Sequence, residues 1–145
     1  MAEIGDVAKY ILEHLGSMSA LKLQKLVYYS QAWNLVWEEK PLFDDRIEAW
    51  ANGPVSPRLY SYHRGQFGVD VATFENADSS ALSDAEKITV ESVIKFYGER
   101  SALELSELTH VEDPWRNARG ELPLGSRSNR DITTEAMAEY YSSLV

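Results

Sequence analysis

The chain contains no cysteine and only three histidines among its 145 residues. Without thiols it can form neither a disulfide nor a thiolate zinc site, a composition typical of proteins from a reducing compartment. His14, His63 and His110 lie far apart in sequence, and none has a second histidine or a cysteine at metal-ligand spacing. We therefore predict a cytoplasmic protein with no metal and no cofactor.

Long apolar runs are also missing. No segment approaches the roughly 18 apolar residues of a membrane helix, and the stretch MAEIGDVAKYILEHLGSMS lacks the basic start and apolar run of a signal peptide. We expect no membrane span and no signal peptide. The chain also lacks a phosphate-binding glycine loop, a G-x-S-x-G elbow and an H-E-x-x-H motif. These absences favour a protein that is not an enzyme.

Positive charge is scarce, because 14 Lys and Arg residues face 23 Asp and Glu residues and leave a formal net charge of -9. A phosphate backbone would be repelled by this field unless a local basic patch opposed it. The only locally basic region contains Arg116, Arg119, Arg127 and Arg130. We interpret it as solvated surface with cations near helix ends, and we expect no direct nucleic-acid binding.

Hydrophobic residues, in contrast, make up 44% of the chain, with 4 Trp, 8 Tyr and 4 Phe. This composition is typical of globular proteins and unlike that of disordered chains. A chain of this length fits one domain, which buries roughly 70% of the surface that its unfolded chain exposes. We therefore predict a single domain over residues 1–145.

The longest uninterrupted pattern is LKLQKLVYYSQAWNLVWE, residues 21–38. At about 100° per residue its polar residues gather in one narrow sector, and apolar or aromatic residues occupy most of the circumference. This pattern predicts a buried central helix over residues 20–38. Lys22 and Lys25 fall inside the apolar arc, where an ammonium group must be paired, reach solvent or lose its proton. A structural ion pair with Glu48, Asp44 or Asp113 is the favoured interpretation over a functional lysine.

The remaining helices are predicted from apolar periodicity and capping signals. Ser83 with Glu86 and Ser101 with Glu104 form capping boxes, and Asp113 before Pro114 is interpreted as a further N-cap. Together these signals predict helices over residues 3–15, 55–64, 83–97, 101–109, 113–119 and 133–144, with Ile88 and Leu103 among the buried residues.

Strand signals are few. Residues 47–52 alternate between small or apolar and polar or aromatic side chains, and Asn52-Gly53-Pro54 is a strong turn signal. The segments Gly65–Ala81 and Glu121–Arg130 show no helical period and are predicted as loops. The first of these loops can contain a short strand. The expected fold is mainly α, an α-rich α+β helical bundle around helix 20–38 with at most a small two- or three-stranded sheet near residues 46–52.

One cluster resembles a reactive site: Glu107, Thr109, His110, Glu112 and Asp113. His110 with a carboxylate could act as an acid–base pair or bind a metal, because imidazole titrates near neutrality. A structural role is favoured, since His110 ends a predicted helix and Asp113 is assigned as a cap. Likewise, the four tryptophans could line a ligand site, but aromatic residues at helical spacing are more often core residues.

Three sequence blocks together resemble a known family. The blocks are LKLQKLVYYSQAW at 21–33, KPLFDDRIEAWANGPVSPRLY at 40–60 and LSELTHVEDPWRNAR at 105–119. Their order and content resemble the Panacea domain of SocA-like antitoxins, a family that also includes GepA-type phage-associated proteins. The motif positions matched are Lys22, Gln24, Lys25, Tyr28, Tyr29, Trp33, Trp50, Gly53, Pro54, Ser106, Thr109, His110, Asp113, Pro114 and Trp115.

The resemblance implies a bacterial or phage antitoxin that neutralises a toxin encoded beside it. Two mechanisms occur in the family: direct binding, which we favour, and delivery of the toxin to an ATP-dependent protease by an adaptor. An enzyme that uses His110 with nearby carboxylates is a third, less favoured reading. The acidic composition favours a toxin with a basic surface.

Most of the matched positions are apolar or turn residues, so we expect them to form the shared scaffold. Partner choice is assigned to the exposed segments Gln66–Ala81 and Leu122–Arg130. Lys22 and Lys25 belong to the first block, and we expect carboxylates or backbone carbonyls of the other two blocks to bind them. No residues remain for a separate DNA-binding module, so autoregulation is not expected.

Overall fold

The computed structural model describes residues 1–145, which form seven α-helices and five short strands. The elements are α1 (Ile4–Leu15), β1 (Met18–Ser19), α2 (Ala20–Trp37), β2 (Ile47–Trp50), β3 (Gly53–Val55), α3 (Pro57–His63), β4 (Gly68–Val69), α4 (Asp84–Tyr97), α5 (Ala102–His110), α6 (Asp113–Arg119), β5 (Asp131–Ile132) and α7 (Thr134–Ser142). The predicted α-rich α+β class is confirmed. None of the helices combines the length and apolarity that crossing a bilayer requires.

Helix α2 lies at the centre of the fold. It contacts α1, α4, α5, α7 and β3, and 13 of its 18 residues are buried. Ser19 begins the helix by accepting a hydrogen bond from the Lys22 backbone N–H. Because neighbours surround most of its circumference, α2 supplies the largest part of a core cluster of 30 buried residues. The prediction of a buried central helix is therefore confirmed.

The buried face of α2 includes two glutamines that bind backbone groups of the segment that follows. The Gln31 Oε1 atom accepts hydrogen bonds from the backbone N–H groups of Leu42 (2.7 Å) and Phe43 (3.3 Å), and Gln31 Nε2 donates to Phe43 O (2.9 Å). Gln24 Oε1 accepts from Ser56 N–H at 3.0 Å, and Gln24 Nε2 donates to Ser56 O at 3.3 Å. Each glutamine thus satisfies buried backbone groups in a segment that has no strand partner there.

The predicted small sheet is confirmed. Strands β3, β2 and β5 form an antiparallel sheet in that order, with Trp50 opposite Gly53 and Ile47 opposite Ile132. A second, two-stranded sheet pairs Met18 of β1 with Val69 of β4, so the predicted short strand within Gly65–Ala81 is present. That segment also contains two 3₁₀ turns, Val71–Phe74 and Ser79–Ala81.

The helix starts agree with the capping signals at two positions and disagree at a third. Both serine boxes, at Ser83 and Ser101, are formed. The predicted cap at Asp113 is wrong: Glu112 precedes the helix, Asp113 is its first residue, and no side chain caps it. Glu112 does not cap the helix in its place, because the hydroxyls of Tyr29 and Tyr141 bind its carboxylate.

Two predicted core residues are exposed. Ile88 is 64% exposed and Leu103 is 67% exposed, so both predictions are wrong. Each lies two residues before a buried residue, Val90 and Leu105 respectively, and two residues correspond to about 200° of rotation on a helix. The side chains therefore point to the opposite face, where no other element covers them.

A buried carboxylate joins α2 to α7 and to the start of α6. Glu112 Oε1 accepts hydrogen bonds from the hydroxyls of Tyr29 and Tyr141, both at 2.7 Å. The Tyr28 hydroxyl lies 3.0 Å from the Tyr141 hydroxyl and extends the network. Burial raises the pKa of Glu112, and the two hydrogen bonds oppose this rise. The Glu112 side chain therefore links α2, α7 and the start of α6 through hydrogen bonds.

Replacing Tyr29 with phenylalanine should destabilise the protein by about 1.5 to 3 kcal/mol, because a hydrogen bond to a buried charged group is lost. Chemical denaturation followed by tryptophan fluorescence measures this change. Tyr140→Phe is the matched control, since the half-buried Tyr140 lies beside Tyr141 without binding Glu112. The control should change the free energy of unfolding by less than about 0.5 kcal/mol. Equal effects of the two substitutions would contradict the role of the carboxylate.

Candidate functional site

Residues from all three motif blocks meet in a buried cluster. Lys25 Nζ donates a hydrogen bond to Pro54 O at 3.1 Å, and Gly53 lies against both Lys25 and Thr109. A Cβ atom on Gly53 would lie 2.5 Å from Lys25 Cε and 2.9 Å from Thr109 Oγ1. Gly53 also has φ +120°, a conformation that L side chains rarely adopt. Both space and backbone geometry therefore require glycine there.

The Lys25 side chain is fully buried and forms no ion pair. The predicted pairing with a carboxylate is wrong, because the Glu48 carboxylate accepts from Arg46 Nε at 2.7 Å and Trp50 Nε1 at 2.9 Å. With only a carbonyl as partner, burial lowers the pKa of Lys25 to about 7. The ammonium group is thus held in an environment that penalises its charge.

Lys22 also binds a backbone carbonyl. Its Nζ atom donates to Gly98 O at 2.6 Å, which connects the start of α2 to the end of α4. For Lys22 and Lys25 the sequence predicted either carboxylates or backbone carbonyls of the other two blocks as acceptors, and both lysines bind carbonyls. Pro54 belongs to the second sequence block as expected, whereas Gly98 lies outside all three blocks.

His110 and Trp115 stack on each other at the edge of the cluster, with ring centroids 4.0 Å apart and planes inclined by 11°. His110 Nε2 is buried without a hydrogen-bond partner, and Trp115 Nε1 donates to Trp50 O at 2.8 Å. Burial, together with the positive charges of Lys25 and Arg119, lowers the pKa of His110. Neither Glu112 nor Asp113 forms a hydrogen bond or an ion pair with this ring, so the acid–base pair considered from sequence is absent.

The other motif residues occupy supporting positions. Trp33 Nε1 donates to the Tyr97 hydroxyl at 2.9 Å, Pro114 is buried at the start of α6, and Ser106 Oγ is buried without a partner. No group of three acidic or histidine side chains converges as a metal site would require. Trp37 differs from the expectation of a core residue, because 46% of it is exposed where it stacks on Trp33.

A cleft of about 1150 Å³ opens beside this cluster. Its walls come from the first turns of α2, the β2–β3 hairpin, the end of α3 and two loops, residues 65–67 and 127–129. The Trp50 and Tyr60 rings meet edge to face in one wall, with centroids 5.3 Å apart. Phe67 is 87% exposed and contributes to the lining. We call this feature the interaction cleft.

The floor of the interaction cleft contains a neutral histidine. Ser56 N–H donates to Gln24 Oε1, so the amide nitrogen of Gln24 faces His63 and donates to His63 Nε2, 3.0 Å away. A ring nitrogen that accepts a hydrogen bond carries no proton, and burial lowers the pKa of His63. The deep part of the cleft is therefore polar without contributing a cation.

Parts of the two segments assigned to partner choice, Gln66–Phe67 and Arg127–Asn129, line the same cleft. The first is held by the β1–β4 pairing and by Ala20 N–H, which donates to Phe67 O at 2.8 Å. Short backbone contacts therefore position a loop that sequence periodicity left unassigned. The two segments are far apart in sequence, and only the fold brings them together.

Arg119 positions the segment Leu122–Arg130. Its burial was not predicted from the sequence. It is 2% exposed, lies over the Trp115 ring at 4.9 Å and donates to the carbonyls of Ala49 (3.2 Å), Pro123 (3.0 Å) and Ser126 (2.9 Å). Its place four residues after Trp115, on the same helix face, was the available signal.

The interpretation of the basic region as solvated surface is therefore corrected for Arg119. Arg130 Nη1 donates to Arg119 O at 2.9 Å, so two of the four arginines of that region hold the loop in place.

The comparison with protein families agrees with this arrangement of motif residues. The family described as "Antitoxin SocA-like, Panacea domain" matches residues 23–116, which is more than half of the chain. The chain belongs to this family. The matched part of the Panacea domain begins in α2 and ends in α6, so it contains the Lys25 cluster, whereas Arg127 and α7 lie outside it. Neither the curated proteins nor the solved structures gave a significant match.

The buried lysine predicts a pH dependence of stability. Because the pKa of Lys25 is about 7 in the folded protein and about 10.4 in an unfolded chain, the unfolded state binds more protons between these values. Stability should therefore rise with pH, by up to about 1.4 kcal/mol per unit between roughly pH 7.5 and 9. Lys25→Met should remove this part of the slope in urea titrations.

Lys95→Met is the control, since Lys95 is exposed on α4 and its replacement leaves Lys25 in place. This variant should keep the slope of the unsubstituted protein. A Lys25→Met variant with an unchanged slope would show that Lys25 remains protonated throughout the range.

Proposed function

We propose that this Panacea-domain protein is the antitoxin of a toxin–antitoxin pair and neutralises its toxin in the bacterial cytoplasm by direct binding. Membership of the antitoxin-like family carries the proposal. The interaction cleft supports it, because exposed loops held on a rigid core are typical of binding sites. In this proposal the protein acts without catalysis, and its buried motif residues support the surface that the toxin contacts.

The charge of the chain supports a toxin with a basic surface. The formal net charge is -9, and Arg46 is the only residue whose cationic group lies in an ion pair, with Glu48 and Asp131. An acidic field accelerates encounter with a basic partner and repels acidic proteins. Association with such a toxin should therefore slow as ionic strength rises.

Co-expression with the toxin encoded beside it should restore growth, and the two proteins should co-purify as a stable complex. Direct binding requires that the rescue persist in strains lacking individual ATP-dependent proteases. Size-exclusion chromatography with light scattering of the purified mixture measures complex formation. If the pure proteins do not associate although growth is rescued, direct neutralisation is wrong.

The family resemblance leaves an adaptor function as the second candidate, in which the protein delivers the toxin to a protease. The exposed apolar residues Leu144 (55% exposed) and Val145 (82% exposed) favour it, because a protease could dock there. Deleting residues 143–145 leaves the buried Tyr141 in place. If this variant still binds toxin but toxin persists in the cell, the adaptor mechanism gains support over direct neutralisation.

His110→Phe tests the third candidate, an enzyme. The phenyl ring can keep the stacking on Trp115, whereas both titratable nitrogens are removed. We expect neutralisation within about twofold of the unsubstituted protein, because the His110 ring forms no pair with a carboxylate. Toxin titration in a growth assay, with circular dichroism to verify folding, measures this. A folded variant without neutralising activity would favour catalysis.

A further inference from the structure

The interaction cleft carries a charge opposite to that of the whole protein. Arg64 and Arg127 line it from two different segments, both are exposed, and neither forms an ion pair. The only acidic residue in the lining is Glu48, whose carboxylate is already bound by Arg46 at 2.7 Å. His63 in the floor is neutral. Two unpaired guanidinium groups therefore give the lining an excess of positive charge.

Aromatic side chains supply the apolar part of the cleft. Trp50 and Tyr60 are half-buried and pack against each other, whereas Phe67 is 87% exposed. The Phe67 backbone is fixed by the hydrogen bond from Ala20 N–H, so the ring projects from an ordered position. A pre-positioned exposed aromatic ring next to an aromatic wall is typical of the anchor points of protein interfaces.

The size of the cleft favours a peptide segment over a small molecule. Its volume of about 1150 Å³ exceeds the roughly 300 to 1,000 Å³ of most small-molecule pockets. Its walls come from α2, the hairpin, α3 and two loops, so a bound segment would meet several separate parts of the chain.

We propose that the interaction cleft binds an acidic segment of the toxin, in which aspartate or glutamate side chains flank an apolar or aromatic one. The carboxylates pair with Arg64 and Arg127, since guanidinium groups bind carboxylates in a bidentate manner. The apolar side chain packs on Trp50, Tyr60 and Phe67. This inference rests on the proposed neutralisation by direct binding and names the part of the toxin that is recognised.

A toxin with a basic surface can still present an acidic segment to the cleft, because the two electrostatic attractions operate at different distances. The net charge of -9 attracts a basic protein as it approaches, although salt screens this attraction beyond about 8 Å. The two arginines act only after contact, inside the cleft. A toxin with both features would be attracted by the whole field and oriented by its acidic segment.

Charge reversal tests the electrostatic part. Arg64→Glu and Arg127→Glu should each weaken toxin binding by about tenfold or more, measured by isothermal titration calorimetry at near-physiological salt. Arg58→Glu is the matched control: Arg58 is exposed on α3 but lies outside the lining of the cleft. It makes the same charge change and should leave affinity within about twofold. Circular dichroism melts verify that all variants fold.

Alanine substitution tests the apolar part. Phe67→Ala should weaken binding by about tenfold or more, because an interface anchor is removed. Leu124→Ala is its control, since Leu124 is 84% exposed on the other loop and does not line the cleft. Its affinity should stay close to that of the unsubstituted protein.

The outcomes separate this inference from the proposed function. If the unsubstituted protein does not bind the toxin, direct neutralisation fails. If it binds, and the three cleft variants bind equally well, the cleft is not the site and only the inference is overturned. Tighter binding after charge reversal would show that the bound segment is basic, which also overturns it.

Discussion

Burial of the polar side chains of α2, with backbone groups as their partners, is the constraint on which the rest of the structure depends. Gln31 holds the backbone of Leu42 and Phe43, Gln24 holds Ser56, and Lys25 holds Pro54. A buried polar group without a partner costs about 1 to 3 kcal/mol, and a buried charge costs more. The segment after α2 can therefore occupy only the path on which these groups are satisfied. The hairpin and the start of α3 follow from that path.

This constraint accounts for the mixture of lysine, glutamine, glycine and proline with aromatic residues in the three sequence blocks. Gly53 is needed beside Lys25 because any side chain would meet Lys25 or Thr109, and Trp115 closes the cluster by binding Trp50 O. In our proposal the buried members of this set support the interaction cleft, and Trp50 also contacts the toxin segment. Loops that contribute few core residues can then vary with the partner while the core stays the same.

Local signals predicted much of the fold, and they failed where tertiary contacts compete. The serine boxes at Ser83 and Ser101 form because each depends only on residues three positions apart. The cap expected at Asp113 does not form, because the helix begins at Asp113 itself; Glu112, at the capping position, binds the hydroxyls of Tyr29 and Tyr141 instead. The expected ion pair of Lys25 fails for a similar reason: Arg46 and Trp50 bind Glu48, and only a carbonyl lies within reach.

The sequence by itself determined the buried central helix, the presence of a small sheet near residues 46–52 and the family, because periodicity, turn residues and motif order are local properties of the chain. The tertiary structure alone decided that β5 pairs with β2, that Arg119 is buried among carbonyls and that Phe67 and Arg127 line one cleft. Such contacts join distant residues, and packing selects them among many alternatives that have the same local pattern. A binding surface built from loops is of this second kind, so only the folded chain places its residues side by side.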